Sequence, residues 1–347
     1  MLARVERERE GEGDRIEMNE MASWRGFAAA LSAALLVVVV SGEACETCEY
    51  AAGNLGCYEG ATGLLEEGAF EPAASRFSVA HDSPDDALAF SASLVDGEGG
   101  EPASYWHSIP TYAEERVTGM DGSEESSGGA VLVNFVPEIR RGAIGKLEII
   151  KDVEGNPIKY DTKDVSNSAG EFLYKRPRYV AYGPSPFTYG AIPQTWENSL
   201  EPDPVTGIKG DNDPIDALDI GSAVPDIGFP YVAKVLGSLG LIDDNETDWK
   251  VVLINANDPD ASKYDTIDDV PASVKETIFT YFRDKPAAVG DAPGIFWPGL
   301  TDAYVPQVWK GLEDTKQILE NTKEEYAKLI GDCEKVKDLE FAYSGCA

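Results

Sequence analysis

The sequence predicts an α+β domain: an antiparallel sheet or small closed β-barrel of OB-like kind, with C-terminal helices packed on it. Two observations predict it. Short β-type runs dominate the first two thirds, at 131–136, 144–150, 231–236 and 249–254. Helical periodicity comes only afterwards, and strands first with helices later is an α+β order. Asp268-Asp-Val-Pro271 reads as a helix start, with Val274, Ile278 and Phe282 on one face. A second helix fits 312–330, with Leu312, Leu319, Tyr326 and Ile330 on one face.

Of the 347 residues 43% are apolar, enough for a sizeable core. The net charge of −33 argues against nucleic acid and anionic membrane as partners, because both are polyanions that such a surface repels. The chain has 2 histidines, His81 and His107, far apart, so no His-x-x-x-His zinc site exists. A bound metal would rest on carboxylate oxygens, which suits a hard cation such as magnesium.

Four segments are expected. Residues 1–44 form an N-terminal extension with a signal-like hydrophobic run, 27–40, behind Arg25. The run is too short for a comfortable membrane span and fits a signal-peptide core, with Gly42-Glu-Ala44 as small cleavage-site residues and Met21 as a natural start. It points to the secretory route or an endomembrane-derived organelle such as a plastid, and to the cytoplasm if the segment is not a working signal. Residues 45–103, rich in Gly, Ala, Ser and acids, are expected to be a low-order linker carrying Cys45, Cys48 and Cys57. One domain spans 104–331, with a surface loop at 119–129, and 332–347 form a tail with Cys333 and Cys346. Oxidising conditions would permit disulfides, whose pairing the sequence leaves open.

The chemistry concentrates in Gly210-Asp211-Asn-Asp213-Pro-Ile-Asp216-Ala-Leu-Asp219. Four aspartates within nine residues repel one another unless cations lie between them. An EF-hand loop would need an oxygen ligand, Gly and Glu where this sequence has Ile215, Asp216 and Ser222, so that reading fails. Two strands add counter-charges. In Lys146-Leu-Glu148-Ile, period two puts Lys146 and Glu148 on one face; in Asp248-Trp-Lys250-Val-Val-Leu253, Asp248 and Lys250 lie opposite Trp249, Val251 and Leu253. Such strands suit a cavity of carboxylates and ammonium groups backed by core.

Over about residues 104–330 the chain resembles the family I soluble inorganic pyrophosphatases of eukaryotic type. The matching segments run in family order: Trp-His107-Ser-Ile-Pro-Thr-Tyr112, Glu138-Ile-Arg-Arg, Lys146-Leu-Glu148, Asn156-Pro-Ile-Lys-Tyr-Asp-Thr-Lys163, Tyr189-Gly-Ala-Ile-Pro-Gln-Thr-Trp196-Glu, the aspartate cluster, and Asp243-Asp-Asn-Glu-Thr-Asp248-Trp-Lys250. The resemblance implies hydrolysis of pyrophosphate with several Mg²⁺ ions per site, in a homodimer. It implies that Asp211, Asp216 and Asp248 hold the first metal and that Asp216 bridges to a second. Asp243 and Asp248 would hold a metal arriving with substrate, with Glu148 also helping to bind metal. Asp213 would act as general base, Glu138 would support the water network, and Lys146, Arg178, Tyr189 and Lys250 would grip phosphate oxygens. Asp219 is left as a structural acid. The alternative is a silent cation-binding protein that kept the fold, which the intact acid and lysine set argues against.

The chain departs from the pattern in places. The loop around Arg178 is about one residue longer, and Arg140 stands where Pro is expected. The late substrate tyrosine is missing: Glu313-Asp314 align there, leaving Tyr304, Lys310 and Lys316 as open substitutes. Asn245-Glu-Thr247 is a glycosylation sequon between two of the implied ligands.

Overall fold

The structure, a computed structural model, describes residues 77–97, 100–113 and 130–346. The signal-like run, Cys45, Cys48, Cys57 and the 119–129 loop lie outside the described residues. Among the described residues, no helix is long and apolar enough to cross a membrane.

Most of the site is carried by a seven-stranded sheet. It is built from β4 (Leu132–Ile139), β9 (Thr188–Ala191), β10 (Asp216–Asp219), β11 (Tyr231–Asp243), β12 (Glu246–Asn255), β13 (Ile295–Phe296) and β14 (Trp309–Lys310). The order is β12-β10-β9-β4-β11-β13, with β14 beside β11 and β12 also paired to β11. The path of pairing through β12, β10, β9, β4 and β11 therefore returns to its start. Its ladders are antiparallel except β10 on β12, which is parallel. That corrects the purely antiparallel expectation. The chain leaves β10, runs the length of β11 and turns back into β12, a long crossover of the kind parallel neighbours need.

The β11–β12 hairpin turns at Asp244 and Asn245, both with positive φ (48° and 68°), the conformation that matches strand twist and that Asn and Asp tolerate. Register then fixes chemistry. Asp248 pairs with Leu241, two residues from Asp243, so both aspartates share one face. On β12 the opposite face carries Trp249, Val251 and Leu253 into a core with Phe135, Val235, Ile318 and Leu319. Gly190 of β9 lies so near β4 that a Cβ would meet the Val136 carbonyl oxygen at 2.0 Å, so no larger residue fits.

Helix α1 (Ala272–Asp284) buries Ile278, Phe279, Tyr281 and Phe282 against Leu218, Leu236 and Val252. Helix α2 (Leu312–Ile330) buries a stripe at Thr315, Ile318, Leu319, Thr322, Tyr326 and Leu329, the i, i+3, i+4 rhythm of an amphipathic helix. Both expected helices are present, with Leu312 and Ile330 only partly buried.

A five-stranded sheet flanks this core: β1 (Phe77–Asp82), β2 (Ser91–Asp96), β3 (Pro102–Ala103), β5 (Leu147–Ile149) and β6 (Ile158–Tyr160), in the order β1-β2-β6-β5 with β3 on β2. A separate hairpin joins β7 (Thr162–Ser166) to β8 (Phe172–Pro177). The low-order expectation for 45–103 is thus corrected over its described part. Phe77, Phe90, Ala92 and Leu94 belong to one core cluster with Trp106, Ile149, Ile158 and Trp196. The inward side chains of β2 are small or sparse, so its alternation is faint in the sequence. The tail is ordered too. Helix α3 (Cys333–Asp338) is followed by Phe341, and Val336 and Phe341 bury in the same cluster, with a Cys333–Cys346 disulfide closing the segment.

Candidate active site

The aspartate cluster is shaped by its own backbone. Asp211 Oδ1 accepts the Asp213 N–H at 3.0 Å, and Asn212 between them is left-handed at φ 74°, which Asn adopts more readily than most residues. The Asn212 side-chain oxygen accepts from the Trp196 indole at 3.1 Å and the Ser199 hydroxyl at 3.0 Å. Backbone bonds from Glu197 N to Asp213 O (2.9 Å) and from Asn212 N to Glu197 O (3.0 Å) complete the clamp. The Trp196-Glu197 segment is therefore the mould on which the aspartates are set.

Strand register supplies the rest. Parallel pairing puts Asp216 level with Lys250, while antiparallel pairing sets Leu218 opposite Tyr189. The Lys250 ammonium donates to Asp216, to Asp248 and, at 3.3 Å, to the Tyr189 hydroxyl, which itself donates to Asp216. Glu138 sits at a ladder irregularity between Pro137 and Ile139, and its Oε1 accepts the Ile149 N–H at 2.7 Å. Lys146 donates to Glu148 at 2.8 Å and to Asp161 at 2.9 Å.

These groups meet in one cavity of about 440 Å³, lined by Glu138, Lys146, Glu148, Tyr189, Asp211, Asp213, Asp216, Asp243, Asp248 and Lys250. Of the sequence-derived set, Arg178 alone stays outside the lining. It is half exposed and donates to Asp161 at 2.5 Å, the carboxylate that also holds Lys146. Asp219 is buried away from the cavity and accepts from the Tyr231 hydroxyl (2.5 Å) and the Gly221 N–H (2.8 Å), as a structural acid should.

Several lining residues escaped the sequence reading. Lys151 ion-pairs with Asp213 and donates to the Asn212 carbonyl at 2.7 Å. Lys285, just past α1, lines the cavity, whereas none of the open substitutes does. The Trp309 indole donates to Tyr304 at 3.3 Å, Lys310 stands 4.0 Å over the Trp297 ring, and Lys316 faces Glu313 at 4.0 Å. A lysine ending a helix reads as a dipole cap, which hid Lys285. Leu339, Glu340 and Phe341 of the tail close one wall.

Electrostatics follow from burial and crowding. Burial, reinforced by neighbouring carboxylates, holds the carboxyls of Glu138, Glu197 and Asp211 well above the usual range. Burial pushes Asp248 up to about 7, against the pull of Lys250. Burial also disfavours the Lys250 charge, but Asp216 and Asp248 outweigh it and raise its pKa. Burial and the nearby Lys250 lower Lys285. Among the described residues nine carboxylates and four lysines line the cavity, so anionic charge is in excess there. Oxygens of Glu197, Asp211 and Asp248 lie within 4.8 Å of one another. A carboxylate-only donor set with unbalanced charge fits a hard divalent cation.

Residues 135–294, which include every one of these acids and lysines except Glu340, match the family model for inorganic pyrophosphatase. Over 235 residues the chain is 34% identical to the inorganic pyrophosphatase of Dictyostelium discoideum, covering 67% of this chain and 73% of that one. The chain belongs to the inorganic pyrophosphatase family. With the inorganic pyrophosphatase of Debaryomyces hansenii the identity is 40% over 173 residues, 50% of this chain and 54% of its relative, so this match spans about half of that protein's length. A crystal structure of N-terminally truncated Trypanosoma cruzi vacuolar soluble pyrophosphatase in complex with PPi aligns at a TM-score of 0.63 and 28% identity, covering 74% of this chain and 92% of that chain.

Proposed function

We propose that the chain hydrolyses inorganic pyrophosphate to two phosphates, with magnesium as cofactor and Asp213 as general base. One observation carries the reading: carboxylates in excess, two of them buried and most of the rest half-buried, converge with lysine ammonium groups on one cavity, a surface made for a metal-neutralised polyanion. Asp211, Asp216 and Asp248 would hold a first ion, Asp216 would serve a second, and Asp243 and Asp248, helped by Glu148, would serve an ion arriving with substrate. When bound, magnesium supplies charge neutralisation and makes water easier to deprotonate.

The chain's own groups do the remainder. Lys146 and Lys250, with Tyr189 as an uncharged donor, grip phosphate oxygens and stabilise charge that grows on the leaving phosphate. Arg178 joins them from the rim. Water attacks phosphorus, its proton passes to the Asp213 carboxylate, and the bridging P–O bond breaks. Lys151 and the Asn212 clamp hold Asp213 for that transfer, and buried Glu138 orders the water behind it.

The returning path of strand pairing supports reading the larger sheet as a closed OB-like barrel. The Cys333–Cys346 disulfide suits an oxidising compartment and so supports entry into the secretory route. The homodimer remains part of the proposal, to be checked by light scattering. The deciding assay is phosphate release from pyrophosphate with magnesium, for wild type and Asp213→Ala. Wild type is expected to be active and the variant to lose at least 10²-fold. An inert, folded, magnesium-saturated wild type sinks the proposal, and a fully active variant removes Asp213 from its role.

A further inference from the structure

We infer that Glu197 is a further carboxylate of the divalent-cation site formed by Asp211 and Asp248. The inference rests on the proposed metal dependence and extends it to a residue outside the sequence-derived set.

Glu197 is 3% exposed. Its Oε1 accepts the Trp249 N–H at 2.8 Å, and its Oε2 has no hydrogen-bond partner among the described residues. One of its oxygens lies within 4.8 Å of an oxygen of Asp211 and of Asp248. A buried acceptor left unpaired is costly, and native proteins avoid it unless something absent completes it. Lys250, the cation paired with Asp248, is already shared with Asp216. A second positive charge among these three carboxylates would satisfy the free oxygen and offset their repulsion.

The backbone prepares Glu197 for this task. Its carbonyl accepts from Asn212 and its N–H donates to Asp213 O, so it is locked to the loop that carries Asp211. Its anchor on Trp249 ties it to the residue after Asp248. Both neighbours therefore keep fixed positions relative to it before any ion arrives.

The test is calorimetric titration of Mg²⁺ into metal-free wild type and Glu197→Gln, without substrate. Glutamine keeps an oxygen for the Trp249 N–H and removes the charge. The tightest Mg²⁺ site is expected to weaken tenfold or more. Unchanged affinity in a folded variant overturns the inference and leaves Glu197 a buried neutral acid. Should the variant fail to fold, wild-type crystals soaked in Mn²⁺ decide. An anomalous peak among the three carboxylates is expected, and manganese bound in the cavity without bordering Glu197 overturns it. Wild-type pyrophosphate hydrolysis is measured alongside. Glu197-dependent Mg²⁺ binding without hydrolysis upholds this site and sinks the proposed activity.

Discussion

Replacing Lys250 by methionine isolates the electrostatics of the site. The lysine side chain is 2% exposed, and its partners Asp216 and Asp248 are 14% and 9% exposed, so solvent does little to screen the pair. Removing one partner of a buried ion pair costs about 3–5 kcal/mol, because a charge is left buried and uncompensated. Proton uptake limits that loss. Asp248 already titrates at about 7 with Lys250 opposing its rise, so without the lysine it will take up a proton more readily. The lower figure, about 3 kcal/mol, is therefore expected at pH 8 in chelator, a fall of roughly 6–12 °C in Tm. The loss should shrink at pH 5.5, where the carboxyl is neutral, and magnesium should restore part of it at pH 8 by supplying the missing cation. Calorimetric melts of wild type and variant, with chelator and with magnesium, measure all three. A variant as stable as wild type in chelator at pH 8 would refute the claim that Lys250 is the counter-ion of these carboxylates. Turnover of pyrophosphate should also drop, on the order of 10²–10³-fold.

Metal-free stability should fall as pH rises from about 4 to 7. The raised carboxyls of Glu138, Glu148, Glu197, Asp211 and Asp248 hold protons in the folded chain that the unfolded chain has released, at about 1.4 kcal/mol per pH unit for each proton. Urea midpoints at pH 5 and pH 8 in chelator check the sign, and a midpoint that rises with pH contradicts it. Lys151→Met should cut turnover on the order of 10²-fold with little change in KM, because it frees Asp213 and the Asn212 carbonyl without touching the other lysines. Steady-state kinetics decide, and a KM effect alone would make Lys151 a substrate contact. Opening the Cys333–Cys346 bond, which spans 13 residues, should cost about 3 kcal/mol and raise amide exchange across the tail. Unchanged exchange at Phe341 would show that packing on Trp106 holds the tail without the bond.

Much of the site was legible because its strands write chemistry and packing at alternate positions. Asp248 and Lys250 face the cavity while Trp249, Val251 and Leu253 face the core, and Lys146 and Glu148 alternate with Leu147 and Ile149 in the same way. The aspartate cluster was legible because its repulsion needs an explanation. Other parts were hidden for physical reasons. The parallel register of β10 on β12 depends on residues far apart in the chain, which no local pattern records. Strand β2 packs Ala92 and Leu94 among serines, so its period is faint. Lys151, Lys285 and Phe341 come from chain turns and element ends, whose convergence is a property of the fold.

In the structure, three of the four cavity lysines already hold carboxylates: Lys146 on Glu148 and Asp161, Lys151 on Asp213, and Lys250 on Asp216 and Asp248. The chain thus brings internal counter-ions to its most acidic region. In a zinc finger the ligands must capture metal before the chain can fold, whereas here the fold itself sets ammonium groups beside the carboxylates. Under the proposed magnesium dependence, an arriving ion would meet carboxylates already partly neutralised by lysine, not a bare anionic cluster.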